Sequence, residues 1–338
     1  MRASPIGRVG VTILFLAGSW WLIPGCASST TKTNTDPKQQ AIALYVQAVQ
    51  AQRAGDTDAA VELLEKAVAM DDELRMPRVM LGDIYKERGN YLAASANYEV
   101  ATRLDPYTPS NHYNLGVTYQ FLNRLQEAAG SYLRALTLDP KDAKSCMNLG
   151  TVYLAMGRFD ESVAYLEKAT QLDPESSQAW SNLGVAMDAR GSPVLAEAAY
   201  RKAIELQGIS PVTLQNLAAN LMAQKKGAEA VAVMDEVIKL SDTVQTRTRR
   251  ADAMAMAKRY DEALRAYDEV LVRDPRHLPA INGKASLLIN MYVKGLELDD
   301  SQRQAAIALW KDSLKLNGNQ PKVREQLNRW ENPPLFSN

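Results

Sequence analysis

Few side chains in this 338-residue chain have the type and spacing to do chemistry. The clearest set is a column of asparagines, Asn114, Asn148, Asn182 and Asn216, each 34 residues after the last. A carboxamide carries donors and an acceptor, so it can bond both polar groups of a peptide unit. Four of them along one surface would hold an extended main chain whatever side chains that chain bears. The plainer reading is that Asn is common at this place and meets water. Nucleophiles, bases and metal ligands are scarce: the only His and Cys are His112, His277, Cys26 and Cys146. Neither His has a second His or Cys at ligand spacing, and no nucleophile–base pattern or glycine-rich phosphate loop is present. The sequence therefore predicts no catalytic residue, no metal and no cofactor.

The composition narrows the classes further. With 39 basic and 39 acidic side chains the formal charge is zero, which gives no footprint for nucleic acid. A chain 46% hydrophobic and 23% charged is ordinary for a folded protein, so global disorder is excluded. Its length suggests about two domains, a prior that internal repeats override.

Residues 1–25 read as an export segment. Arg2 and Arg8 precede an uncharged apolar run from Val9 to Ile23, with no acidic residue before Asp36. Pro24 and Gly25 stop that run short of the ~20 apolar residues a spanning helix needs. It ends in Ile23-Pro24-Gly25-Cys26, which resembles the bacterial lipoprotein box and implies lipid on Cys26. Ordinary cleavage near Ala27 and a retained anchor are the alternatives. Residues 26–40 are then the lipidated Cys and a polar tether, whose composition cannot bury enough apolar surface to fold. Its r.m.s. reach is on the order of 20 Å.

From residue 41 the chain repeats. Gly82, Gly116, Gly150 and Gly184 keep the step of 34, as do Leu81, Leu115, Leu149, Leu183 and Leu217. So do Ala67, Ala101, Ala135, Ala169 and Ala203, and Pro106, Pro140 and Pro174. The pattern, seen in Trp180-x2-Leu183-Gly184 and Leu149-Gly150-x2-Tyr153, resembles the tetratricopeptide repeat (TPR). That resemblance implies an all-α solenoid, a right-handed superhelix of helix–turn–helix units. Each first helix brings Leu and Gly against a small residue of the second, from Ala60 and Ala94 to Ser162 and Ala263. A large residue follows four places on, such as Tyr98 or Leu166, on the same helical face. Tyr85, Tyr119 and Tyr153 are expected to fill the space toward the next unit. Gly55, Gly89, Gly157 and Gly191 suit the turn between helices, and Leu-Asp-Pro at 104–106, 138–140 and 172–174 ends the second helices.

About eight units follow, at 41–74, 75–108, 109–142, 143–176, 177–210, 211–243, 244–277 and 278–316. Pro275 lies 101 rather than 102 residues beyond Pro174, which places a one-residue loss near Ser241–Val244. In the eighth unit Ala285 and Ala306 are 21 apart instead of 12, and the nine added residues are expected as a longer turn within Val293–Gln304. Residues 317–338 supply a capping helix, Pro321–Trp330, and a tail.

The resemblance implies a concave groove lined by first helices, with the four asparagines at the sixth place of units three to six. It is similar to the asparagine ladder of O-linked GlcNAc transferases. Among apolar groove residues Tyr113, Met147 and Met222 are the candidates for partner contact, against the alternative that they pack between first helices. The carboxylate clamp of chaperone-binding relatives does not fit: Val79, Asp83, Asn114, Lys144 and Asn148 match two of its five places. A basic group, Arg247, Arg249, Arg250, Lys258 and Arg259, reads as a solvated mixed face or an acidic docking patch. Cys146 and His112 stand where Trp180 stands one or two units later, at a packing place. The expectation is a non-catalytic scaffold of the bacterial cell envelope, lipid-anchored, facing the periplasm from the outer membrane. Its partners are envelope proteins or their peptide segments, not nucleic acid and not a small-molecule substrate. A self-associating structural protein, or an enzyme site hidden in 285–338, are the competing classes.

Overall fold

In the computed structural model, residues 36–207, 210–295 and 300–331 are described. The leader, Cys26 and the tether up to residue 35 lie outside them, as does the tail beyond Glu331. The described residues form 17 helices and no strand. The regular pairs are α1 (Pro37–Arg53) with α2 (Thr57–Met70), α3 (Arg75–Glu87) with α4 (Tyr91–Leu104), α5 (Pro109–Phe121) with α6 (Leu125–Leu138), and α7 (Ala143–Ala155) with α8 (Phe159–Leu172). There follow α9 (Ser177–Ala189) with α10 (Pro193–Gln207), α11 (Pro211–Ala223) with α12 (Gly227–Leu240), and α13 (Val244–Met256) with α14 (Tyr260–Arg273). The last pair is α15 (Leu278–Lys294) with α16 (Asp300–Leu316), and α17 (Pro321–Glu331) closes the end. No described helix is long and apolar enough to cross a membrane.

Four of the pairs, the second to the fifth, are set by one steric exchange. The eighth place of the first helix is Gly82, Gly116, Gly150 or Gly184, and opposite it stands Tyr98, Tyr132, Leu166 or Tyr200 of the second helix. A methyl group on Gly82 would lie 2.7 Å from the Tyr98 ring, and one on Gly184 2.5 Å from the Tyr200 ring. On Gly150 it would lie 2.6 Å from Leu166 Cγ and 3.1 Å from the Ser162 carbonyl oxygen. Ser162 adds a bond of its own, its hydroxyl donating to the Gly150 carbonyl at 2.7 Å. In the sixth pair, where Met234 replaces the tyrosine, the eighth place is Ala218; both are buried.

The turns follow from backbone chemistry. Between paired helices the chain passes once through left-handed backbone, at Gly55 (φ 85°) and Gly157 (φ 74°), for example, and at Asn123, Lys225 and Lys258 where glycine is absent. Second helices stop at Leu104, Leu138 and Leu172, ahead of Asp-Pro. The connection 241–243 has three residues where 105–108 has four.

Three expectations need correction. The tether does not run to residue 40: α1 starts at Pro37, because Asp36 accepts from the Lys38 N–H at 3.1 Å and Pro37 suits the first helical turn. The nine added residues of the eighth unit do not form chiefly a longer turn. Most are helix, since α15 and α16 have 17 residues each against 13 and 14 in the seventh pair. Tyr85 and Tyr119 point back rather than forward, their hydroxyls donating to Glu65 and Glu99 on the preceding second helix at 2.7 and 2.8 Å.

Buried residues run from Val163 on α8 to Leu287 on α15 in one continuous core, so this is a stack and not two globules. At the far end Leu327, Val323 and Trp330 of α17 close over Ile307 and Trp310, while Lys322, Glu325 and Arg329 face outward. The Trp330 ring meets Tyr292 edge-on at 6.2 Å, and Arg303 donates to the Trp330 carbonyl at 2.8 Å. Replacing Gly150 with Leu is expected to destabilise the fold by about 1–3 kcal/mol, read as a shifted urea midpoint, because Leu166 and the Ser162 carbonyl leave it no space.

Candidate binding groove

The first helices touch side by side and make one wall. Lys86 of α3 donates to Asn114 of α5 at 3.0 Å, and Asn148 of α7 donates to the Tyr113 hydroxyl of α5 at 3.2 Å. Further on, Ser181 of α9 meets Thr213 of α11 at 3.2 Å, and Arg249 of α13 donates to Gln215 of α11 at 3.1 Å. Helices α7 and α9 are also in contact. All four asparagines of the column are half-buried in this wall.

Each asparagine is used differently. The Asn114 carbonyl accepts from Lys86, leaving its amide without a protein partner among the described residues. Asn148 donates its amide to the Tyr113 hydroxyl, which leaves its carbonyl. Asn182 accepts from Gln178 on its own helix at 3.0 Å, and Asn216 makes no side-chain hydrogen bond among the described residues. The column is thus tied into the wall at three of four positions and retains unpaired polar groups at every one.

Tyrosines of the second helices cross beneath the wall and end on the polar groups of its floor. Tyr98, Tyr200 and Tyr267 donate to Asp83, Asp188 and Asp252 at 2.6, 3.0 and 2.5 Å, and Tyr132 donates to Gln120 at 3.0 Å. Burial and the neighbouring carboxylate push the Tyr200 and Tyr267 hydroxyls well up, so these stay protonated donors. Burial also raises the Asp188 and Asp252 carboxyls. Asn220, buried on α11, donates to Asp188 at 2.6 Å and accepts from Gln224 at 2.7 Å. Gln224 in turn donates to Glu197, which Lys226 and Arg201 also hold at 2.7 and 2.9 Å. That grip, Lys226 first, pulls the Glu197 carboxyl down to about 2.

The apolar candidates Tyr113, Met147 and Met222 are half-buried. Tyr113 lies 5.9 Å from the Tyr132 ring, Met147 packs against two buried clusters and Met222 against one. Each therefore packs against neighbouring helices and keeps part of its surface open. Open apolar side chains at groove places include Ile42 (49%), Val46 (48%) and Met76 (46%) at the beginning of the stack, and Val212 (65%) at the second place of α11. Ile42 and Val46 stand at the second and sixth places of α1, the first described helix.

The basic group resolves into a mixed face: Arg247 pairs with Asp242, Arg250 with Asp235 and Arg259 with Glu262, at 2.5–2.6 Å. His112 lies 3.0 Å from the Pro106 carbonyl, as Trp180 donates to Pro174 at 2.9 Å, so both rings pin the preceding connection. Cys146 is buried and free, and burial pushes its thiol up, away from a reactive thiolate. His277 Nδ1 is 3.6 Å from Asp274. Among the described residues no group of His, Cys, Asp and Glu is placed to hold a metal ion.

Family models described as tetratricopeptide repeat or TPR repeat match residues 41–66, 82–120, 109–142, 147–211 and 216–277. The chain belongs to the tetratricopeptide repeat family. No curated protein sequence matches it. Among solved structures, a TPR protein from Parabacteroides merdae ATCC 43184 is 17% identical with a TM-score of 0.55, covering 76% of this chain and 99% of its own. PilW, described as a type IV pilus biogenesis factor, is 19% identical with a TM-score of 0.51, covering 60% and 93%. YrrB, described as a TPR protein with an unusual peptide-binding site, is 23% identical with a TM-score of 0.50, covering 53% and 92%. These likenesses establish the TPR solenoid.

The Glu197 grip gives a signed pH dependence. Its folded carboxyl sits near 2 against an ordinary value of 4.5, so its contribution to stability is present above about pH 4.5 and is lost as pH falls toward 2. Glu197→Gln is expected to lower the urea midpoint at pH 7 and to shrink the further loss between pH 5 and pH 2.5.

Proposed function

We propose that this TPR protein is a non-catalytic scaffold of the bacterial cell envelope, held by lipid on Cys26 at the periplasmic face of the outer membrane, whose groove holds extended segments of partner proteins. The observation that carries this reading is the asparagine column: half-exposed carboxamides with unpaired groups at the same place of four successive first helices. Neighbouring helices lie about 8–10 Å apart, so Asn114 to Asn216 spans about 24–30 Å. That is the length of about 7–9 extended residues. Main-chain recognition of this kind is independent of the segment's sequence, which suits a scaffold. The leader pattern ending at Cys26 supports the location.

Two experiments test it. Asn148→Ala with Asn182→Ala is expected to weaken capture of envelope proteins crosslinked at the groove in cells, while the melting temperature moves little. Unchanged capture would separate the column from binding. Cys26→Ser is expected to move the protein from the membrane fraction to the soluble fraction after cell breakage; retention in the membrane would refute the lipid anchor.

A further inference from the structure

The groove changes character along its length at one place of the repeat. At the sixth place of the first helices stand Val46 and Met80, then the four asparagines, then Arg249. Around Val46 the side chains of Ile42 and Met76 are also about half open to solvent. Ile42 and Val46 lie one turn apart on α1 and Met76 holds the second place of α3, so apolar side chains are open on both helices, as Val212 is on α11. At the other end, Arg249 bonds only the neutral Gln215 carbonyl, and no acid lies within 4 Å among the described residues. Its helix neighbours Arg247 and Arg250 are already held by Asp242 and Asp235. The acid on the same helix, Asp252, is half-buried and engaged by the Tyr267 hydroxyl, and burial favours its neutral form. Arg249 therefore keeps four of its five donors at the end of an amide-lined track, attracted by Asp252 but without an ion pair among the described residues.

We propose that the groove is polarised and takes an extended, acidic-ended protein segment: apolar side chains over α1 and α3, main chain along the asparagines, and an Asp or Glu side chain on Arg249. The inference rests on the groove's role as a holder of peptide segments and adds what those segments look like. A planar guanidinium matches a carboxylate in bidentate fashion. Beyond Arg249 the sixth place is Gly283, where the Tyr267 ring and hydroxyl fill the space that a side chain would take. Five helix spacings from Met80 to Arg249 correspond to about 12–15 extended residues.

The test uses the full chain in non-ionic detergent and fluorescein-labelled 15-residue synthetic peptides with blocked termini and a neutral Ser/Thr/Gln middle. One set carries Leu-Phe at one end and Glu-Glu at the other, in both chain directions; a second carries Lys-Lys for Glu-Glu; a third has no Glu but a free C-terminal carboxylate. Anisotropy, with detergent alone as blank, is expected to show the Glu peptide of one direction binding at least about tenfold tighter than its Lys counterpart, the scale of one charge-assisted contact. Arg249→Gln is expected to erase that preference and Arg249→Lys to keep part of it, with unchanged melting. Ile42→Ser with Val46→Ser is expected to weaken Glu and Lys peptides alike. Equal binding of Glu and Lys peptides would overturn the acidic end while leaving a peptide-holding groove. A preference for the free C-terminus alone would overturn the side-chain assignment. Failure of every peptide to bind at millimolar concentration would overturn both readings.

Discussion

The solenoid depends on how closely the two helices of a pair approach at the eighth place of the first helix. Bulk is traded across that contact: where the first helix gives up its side chain at Gly82, Gly116 or Gly184, the second supplies a tyrosine ring. Where the second carries Met234, the first regains a methyl at Ala218. A buried aromatic of this size removes on the order of 150–250 Å² from water, so the exchange stabilises the pair as well as setting its spacing. It also decides the chemistry of the groove. A ring lying over glycine is long enough to bring its hydroxyl through to the concave side, where it meets Asp83, Gln120 or Asp188. The core contact and the polar floor of the groove are the two ends of the same side chain.

A stack stabilised by neighbours can change chemistry from one junction to the next. Through the sixth unit the seventh place is a buried leucine, from Leu81 to Leu217. In the last two units it becomes Arg250 and Lys284, which pair with Asp235 and Asp268 on the preceding second helices. These side chains are partly exposed, so the ion pairs are screened and contribute little net stability. What holds these junctions is the alanine-rich contact around Ala251, Ala253 and Ala263, together with Met254 and Tyr267. The cationic character that reaches the groove at Arg249 thus arises in the part of the stack where charge has already replaced leucine.

Most of this fold is written in the spacing of small residues. The step of 34, the glycines facing large side chains, and the prolines after each second helix are local rules that act within one unit, and a linear reading captures them. The features it misses depend on what lies outside the unit. Whether Tyr85 turns forward or back is decided by Glu65 of the preceding helix, which offers it an acceptor. Whether nine added residues become turn or helix depends on whether neighbouring surface exists to pack the extra turns, and α17 with Trp330 supplies it. The start of α1 turned on Asp36 as a cap, within a stretch whose composition resembles a tether. At the groove, the asparagine column was legible as a column. That Lys86, Tyr113 and Gln178 occupy part of it was not, because those partners come from three different relations in sequence.

This partial occupation bears on how the column works. A side chain that must order itself on binding costs about 0.5–1.5 kcal/mol in lost rotamers. Asn114, Asn148 and Asn182 are already oriented by Lys86, Tyr113 and Gln178, each of which leaves at least one polar group unpaired. Much of the ordering is therefore done in the folding of the wall, where it is offset by the bonds formed. Asn216 has no such contact among the described residues, so under the proposed function it would contribute less for the same chemistry. Under the proposed function, the bonds that compete with a peptide for the carboxamides are also the ones that orient them for it.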